Sequence, residues 1–105
     1  MPRETLDREI NQLQDEILTL GSLVEQNMLD AMKALRSRDK DQTHKVFQVD
    51  LLVNQKRFAI ESSTLLVIAT QQPMAHDLRQ LAAILEVANE LERIGDYAKG
   101  IAKIN

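Results

Sequence analysis

Apolar side chains recur at helical spacing through the first third of the chain. The steps between them alternate almost regularly between four and three residues, which is close to the spacing of a coiled-coil seam. This row predicts one long helix over about residues 4–36. Its members are Leu6, Ile10, Leu13, Ile17, Leu20, Val24, Met28, Ala31 and Leu35.

A second helix is predicted over about residues 40–71. The stretch "SRDKD" (37–41) interrupts the first pattern, and Asp39 followed by Gln42 resembles a capping box that opens a new helix. The predicted core stripe is Val46, Val49, Val53, Ile60 and Val67, with Phe47, Leu51, Phe58, Leu65 and Ile68 alongside.

A third helix is predicted over about residues 73–104, after "QQP" (71–73) ends the second. Pro73 suits the first position of a helix, where its missing N–H costs nothing. Asp77 lies in the first turns and favours the positive end of the helix dipole. The apolar stripe is Leu81, Ile84, Leu85, Val87, Ala88, Leu91, Ile94, Ala98 and Ile101.

The composition favours a few long helices around an aliphatic core. Only three of the 105 residues are aromatic, so the core must be aliphatic. Three glycines and two prolines leave little material for turns. Helices of about 30 residues are ~45 Å long, and short connections make neighbouring helices antiparallel. We therefore predict an all-α fold, a long antiparallel up-down-up three-helix bundle that occupies residues 1–105 as a single domain.

Charge and hydropathy exclude several classes of function. A net charge of −3 and a pI near 5.3 argue against nucleic acid as a partner. The chain has no cysteine, which excludes disulfides, thiolate catalysis and zinc–cysteine sites. Its longest apolar runs are far shorter than the ~20 residues that span a bilayer, and no signal peptide is visible in the charged and polar "MPRETLDREI". These features predict a cytoplasmic protein without membrane insertion.

Two carboxylates lie four residues apart in "NELERIGD" (89–96), where Glu92 and Asp96 occupy neighbouring turns of the third helix. Such a like-charge pair costs roughly 0.2–0.5 kcal/mol. Gly95, between them in sequence, costs up to ~1 kcal/mol more than alanine in a helix interior. A bound cation would relieve the repulsion, and glycine would let a helix or metal approach closely.

The second helix offers matching donors at the same spacing, Asp50 and Asn54. In an antiparallel pair, the early part of helix two lies opposite the late part of helix three, so these residues can approach Glu92 and Asp96. Carboxylate and amide oxygens are hard ligands suited to Mg²⁺, Mn²⁺, Ca²⁺ or iron. The alternative is a solvated edge, with the acids paired to Arg93 or Lys99.

The sequence gives little support for an enzyme. His44 and His76 lack the Glu-x-x-His spacing of di-iron bundles, and no Ser/His/Asp arrangement or phosphate loop is visible. A carboxylate-bridged metal oxidase would need histidines at helical spacing facing the acids. The stronger alternative is a metal-free helical scaffold or oligomerisation module.

Three segments together resemble the PhoU family of phosphate-uptake regulators. "QQPMAHDLRQLAAILEVANELERIGDYAKGIAKI" (71–104) resembles the family's QP-x-x-x-DLR segment followed by ERIGD. "DLLVN" (50–54) matches its D-x-x-(V/I)-(N/D) segment, and "LTLGSLVEQNMLDAM" (18–32) matches its first helix. The resemblance extends from about residue 6 to the end of the chain.

The resemblance implies the first of the family's two tandem bundles. It implies a non-enzymatic negative regulator that links the ATPase subunit of the phosphate ABC transporter to a phosphate-sensing histidine kinase. It also implies a multinuclear metal cluster, with iron first and manganese, magnesium or zinc as alternatives. The ligands would be Glu92, Asp96, Asp50 and Asn54, although Asn54 departs from an acidic residue. A lone bundle would be expected to pair with itself as a homodimer.

Overall fold

The computed structural model describes residues 3–104, which form three helices. These are α1 (Arg3–Ser37), α2 (Lys40–Gln71) and α3 (Ala75–Ile104). Each helix packs against both others in a rod of 53 × 17 × 16 Å. The predicted three-helix bundle is confirmed.

Contacts between the helices show their directions. Arg3 at the start of α1 contacts Asp77 at the start of α3, so these two helices run in parallel. Gln71 at the end of α2 contacts Glu9 near the start of α1, so α2 runs antiparallel to α1. The early half of α2 therefore lies beside the late half of α3.

The turn between α1 and α2 takes two residues. Arg38 adopts the left-handed conformation with φ of 57°, and the Asp39 N–H donates to the Ala34 carbonyl at 3.1 Å, as in a Schellman motif. The Asp39 carboxylate then accepts from the N–H groups of Asp41 and Gln42. Asp39 is the N-cap of α2, as the sequence predicts.

The predicted start of α3 at Pro73 is wrong by two residues. Gln72 closes α2 in the left-handed conformation, and the first bond of α3 runs from the Leu78 N–H to the Met74 carbonyl. The Asp77 carboxylate reaches back to accept from the Met74 N–H at 3.1 Å. This is the return half of a capping box, and it makes Met74 the N-cap.

The core is aliphatic, as predicted, but its edges differ from the predicted stripes. Asn27 and Ala34 are buried on α1, whereas the predicted neighbours Met28 and Leu35 are only half-buried. A rigid 3.6-residue helix drifts relative to a seven-residue repeat, which moves the buried face by one position. Five apolar residues that were predicted to lie in or beside the core stripes are exposed instead. They are Leu51, Phe58, Leu65, Val87 and Ile94.

The helices carry no membrane span. Across residues 3–104, none of the three helices is both long and apolar enough to cross a bilayer.

Candidate metal site between α2 and α3

The structure places Glu92 beside a cation of the protein itself. Its carboxylate lies 2.7 Å from Nε of Arg57 on α2, and Arg57 also donates from Nη1 to Glu61 at 3.0 Å. The Arg57 side chain is only 19% exposed, so the pair is partly shielded from solvent. Glu92 is therefore paired, but with neither Arg93 nor Lys99 of the predicted alternative.

Asp50 lies deeper than the sequence indicates, because α3 presents Gly95 to it. An alanine methyl at Gly95 would lie 3.6 Å from Oδ1 of Asp50 and 3.9 Å from a methyl group of Val53. Both are ordinary van der Waals distances, so the close approach of α2 and α3 would still admit alanine but not a larger side chain. Asp50 itself is 3% exposed.

The Asp50 carboxylate has weak partners. Nζ of Lys99 lies 3.9 Å from Oδ2, and the Asn54 side-chain N–H donates to the same oxygen at 3.4 Å. Burial raises the pKa of the Asp50 carboxyl, Lys99 opposes this shift, and the nearby charge of Asp96 adds to it.

The predicted ligands lie at one edge of the bundle, beside cations of the protein itself. Asp50 and Glu92 already face Lys99 and Arg57, and Asn54 turns an amide N–H toward Asp50. Within residues 3–104, no group of three His, Cys, Asp or Glu residues is arranged to hold a metal ion. As these side chains lie, they do not fit a multinuclear cluster, and the metal site stays a prediction.

A bidentate polar contact lies at the other end of the bundle. Arg3 donates from both terminal nitrogens to Asp77, at 2.5 and 2.7 Å, while Asp77 is fully buried. Arg3 lowers the pKa of the Asp77 carboxyl, and the Met74 N–H lowers it further. The sequence marks Asp77 through "DLR" but gives no sign of a partner 74 residues away.

One buried amide was also missed by the sequence reasoning. Asn27 is 3% exposed, and its side-chain N–H donates to the Val46 carbonyl at 3.2 Å across the α1–α2 contact. The sequence feature that could have identified Asn27 is its position directly before Met28, a member of the predicted apolar row.

One family model matches most of the chain. The model described as the PhoU domain matches residues 17–104. The chain belongs to the PhoU family.

Curated PhoU relatives match nearly the whole chain. The phosphate-specific transport system accessory protein PhoU of Edwardsiella tarda is 38% identical over 90% of this chain, which is 39% of the relative. The same-named protein of Escherichia coli strain K12 is 37% identical over the same shares. A homolog from Streptococcus pneumoniae serotype 4 is 38% identical over 96% of this chain and 47% of its own length.

The chain spans less than half the length of these PhoU relatives. No solved structure shows a significant match to it.

Proposed function

We propose that this PhoU-family chain is a non-enzymatic regulator of phosphate transport that keeps the phosphate-starvation response off when phosphate is plentiful. The observation that carries the proposal is the family match over residues 17–104, together with relatives named as accessory proteins of the phosphate-specific transport system. By the resemblance, its partners are the ATPase subunit of the phosphate ABC transporter and a phosphate-sensing histidine kinase.

The arrangement of charged groups supports binding rather than catalysis. Three acids of the bundle each face a basic side chain of another helix: Asp77 faces Arg3, Asp50 faces Lys99 and Glu92 faces Arg57. A general acid or base must reach a substrate proton, whereas these groups are held in contacts between helices. We infer that helical faces in the cytoplasm carry the activity.

A deletion and rescue experiment tests the proposed role. In the host, a reporter driven by a phosphate-starvation promoter is measured in phosphate-rich medium. We expect deletion of the gene to raise the reporter and the intact gene to restore repression. The matched control is Leu81→Asp, which places a charge at a fully buried position and should fail to rescue. Reporter expression that stays unchanged after the deletion would contradict the proposal.

Capture of the partners separates the regulator from the alternative, a metal-free scaffold or oligomerisation module. We expect the tagged protein to retain the transporter ATPase subunit and the kinase, whereas the Leu81→Asp control retains neither. Retention of neither partner by the intact protein would favour the alternative.

The predicted metal cluster has a separate test, because a cation at this edge must displace Arg57 from Glu92 and Lys99 from Asp50. Metal content is measured by elemental analysis after purification without a chelator or histidine tag. Stoichiometric metal that is lost in Glu92→Gln/Asp96→Asn would support the cluster. Two metal-free proteins would leave this edge as an ion-paired surface.

A further inference from the structure

Helix α2 carries a second row of side chains beside the one in the core. Leu51, Phe58 and Leu65 recur every seven residues and are 64, 67 and 56% exposed. Half-buried residues lie between these three and just beyond them, so that consecutive members of the row are alternately four and three residues apart. The full row, which we call the outer seam, is Phe47, Leu51, Asn54, Phe58, Glu61, Leu65 and Ile68.

The outer seam has the spacing of a helix-packing surface. The core row of α2 includes Val46, Val53, Ile60 and Val67, which also recur every seven residues and are buried against α1 and α3. A helix packed on one side is normally polar on the rest of its surface. Large apolar side chains at seven-residue spacing on a second side are typical of a helix that packs against another helix there.

We propose that the outer seam binds the outer seam of a second copy of this chain, with the two α2 helices antiparallel and the two-fold axis at Phe58. This choice of partner goes beyond the proposed role in phosphate regulation. Leu51 and Leu65 lie seven residues on either side of Phe58, so the axis pairs each leucine with the other one of the second copy. Phe58 meets its own counterpart, as an isologous interface requires.

The polar positions of the seam favour this partner and this direction. The antiparallel arrangement brings Asn54 near the Glu61 carboxylate of the second copy, so an amide donor faces an acceptor. A parallel arrangement would instead place Glu61 against Glu61 and repel like charges.

The outward flank of the seam also fits self-association. One helical step from the seam, facing away from the core, lie Gln48, Gln55 and Ser62. None of them carries a charge, so two identical flanks can meet without repulsion. Each copy would cover its three exposed apolar side chains with those of the other.

The first test measures dimerisation of the 105-residue chain by sedimentation equilibrium. We expect a dimer whose dissociation constant rises at least ~tenfold in Phe58→Glu, because a central apolar anchor is replaced by a charge. Leu18→Glu is the matched control, since Leu18 is 69% exposed on α1 and should leave the dimer intact. Circular dichroism is used to check that both variants are folded.

Three results of this test would overturn the proposal. They are a parent that is monomeric throughout the concentration range, a dimer that Phe58→Glu does not weaken, and a dimer that Leu18→Glu weakens equally. A monomer would indicate that something other than a second copy covers the seam, such as a further bundle in a longer polypeptide.

The second test uses the absence of cysteine to read the direction of the helices. In the proposed dimer, position 51 lies opposite position 65 of the second copy, whereas two copies of position 51 are roughly 21 Å apart along the axis. A disulfide needs Cα atoms within ~7 Å. A mixture of Leu51→Cys and Leu65→Cys chains should therefore cross-link, and neither chain should do so alone.

The outcomes of cross-linking are distinct. Cross-linking of each chain with itself would indicate parallel helices, and no cross-link in the mixture would place the interface elsewhere. Both would overturn the antiparallel seam. Neither test measures phosphate regulation, so their failure is distinguishable from failure of the proposed function.

Discussion

Asp77 and Asp50 are both buried carboxylates, yet the bundle treats them in opposite ways. Asp77 is fully buried and receives two N–H groups from Arg3 and one from the Met74 backbone, and its pKa is lowered. Asp50 is 3% exposed and has only Lys99 at 3.9 Å and Asn54 at 3.4 Å, and its pKa is raised. The depth of burial is nearly the same.

The difference shows that partner geometry decides whether a buried acid stabilises the fold. A bidentate guanidinium with an added backbone N–H replaces much of the hydration that the carboxylate loses. A single ammonium group at nearly 4 Å does not, so desolvation dominates at Asp50. The Arg3–Asp77 contact is thus a structural clamp, whereas the Asp50 edge keeps an imperfectly paired charge.

The largest expected effect follows from removing the cation of the clamp. In Arg3→Met, the buried Asp77 carboxylate loses its bidentate partner, and we expect the melting temperature to fall by several degrees. Arg8→Met, at an exposed position of the same helix, is the control and should melt close to the parent. Equal melting temperatures for the two variants would show that the clamp adds nothing.

Neutralising each aspartate in turn should give effects of opposite sign. Asp77→Asn loses the charge that Arg3 binds and should lower the free energy of unfolding. Asp50→Asn removes a poorly compensated buried charge and should leave that energy unchanged or raise it. Urea unfolding of both variants at neutral pH measures the difference. A comparable loss in both would remove the contrast between the two ends.

The clamp also predicts a dependence on pH. The folded-state pKa of Asp77 lies below its ordinary value of 3.8, so its contribution is complete above that pH and is lost as the pH falls through the lowered value. The charged groups that lower this pKa are Arg3 and, more weakly, His76. The melting temperature should therefore fall less steeply between pH 7 and pH 3 in Asp77→Asn than in the parent. An equal fall in the melting temperature of the two proteins would contradict a lowered pKa at Asp77.

The smallest expected effect concerns the glycine that faces Asp50. Gly95→Ala should raise the free energy of unfolding by about 0.5–1 kcal/mol, because alanine is the better helix former and its methyl group fits. Gly95→Leu is the paired variant and should destabilise, since its side chain would meet Asp50 and Val53. Thermal unfolding of the pair shows whether this contact is as tight as described.

Local sequence signals predicted the helices well because local interactions fix them. Apolar spacing identified all three helices, and the Asp39 side chain caps α2 within its own turn. The start of α3 was displaced because a capping carboxylate three residues ahead, at Asp77, outweighed the preference of Pro73 for a first helical position.

The metal site stays a prediction, but the contacts of its candidate ligands were predicted in part. The sequence identified Glu92, Asp96, Asp50 and Asn54 and brought α2 and α3 together in the correct direction. It did not identify Arg57 as the partner of Glu92. Arg57 is distant in sequence, and a long side chain at the edge of a stripe can point to either neighbour.

The sequence by itself determined an all-α chain of three long helices, their approximate ends and their membership in the PhoU family. Only the tertiary structure decided which of the two apolar rows of α2 enters the core, and which buried acids receive a full set of partners. The physical reason is that helix periodicity and capping act within a few residues. Burial and charge pairing instead depend on side chains from different helices, such as Arg3 and Asp77, whose meeting is set by packing.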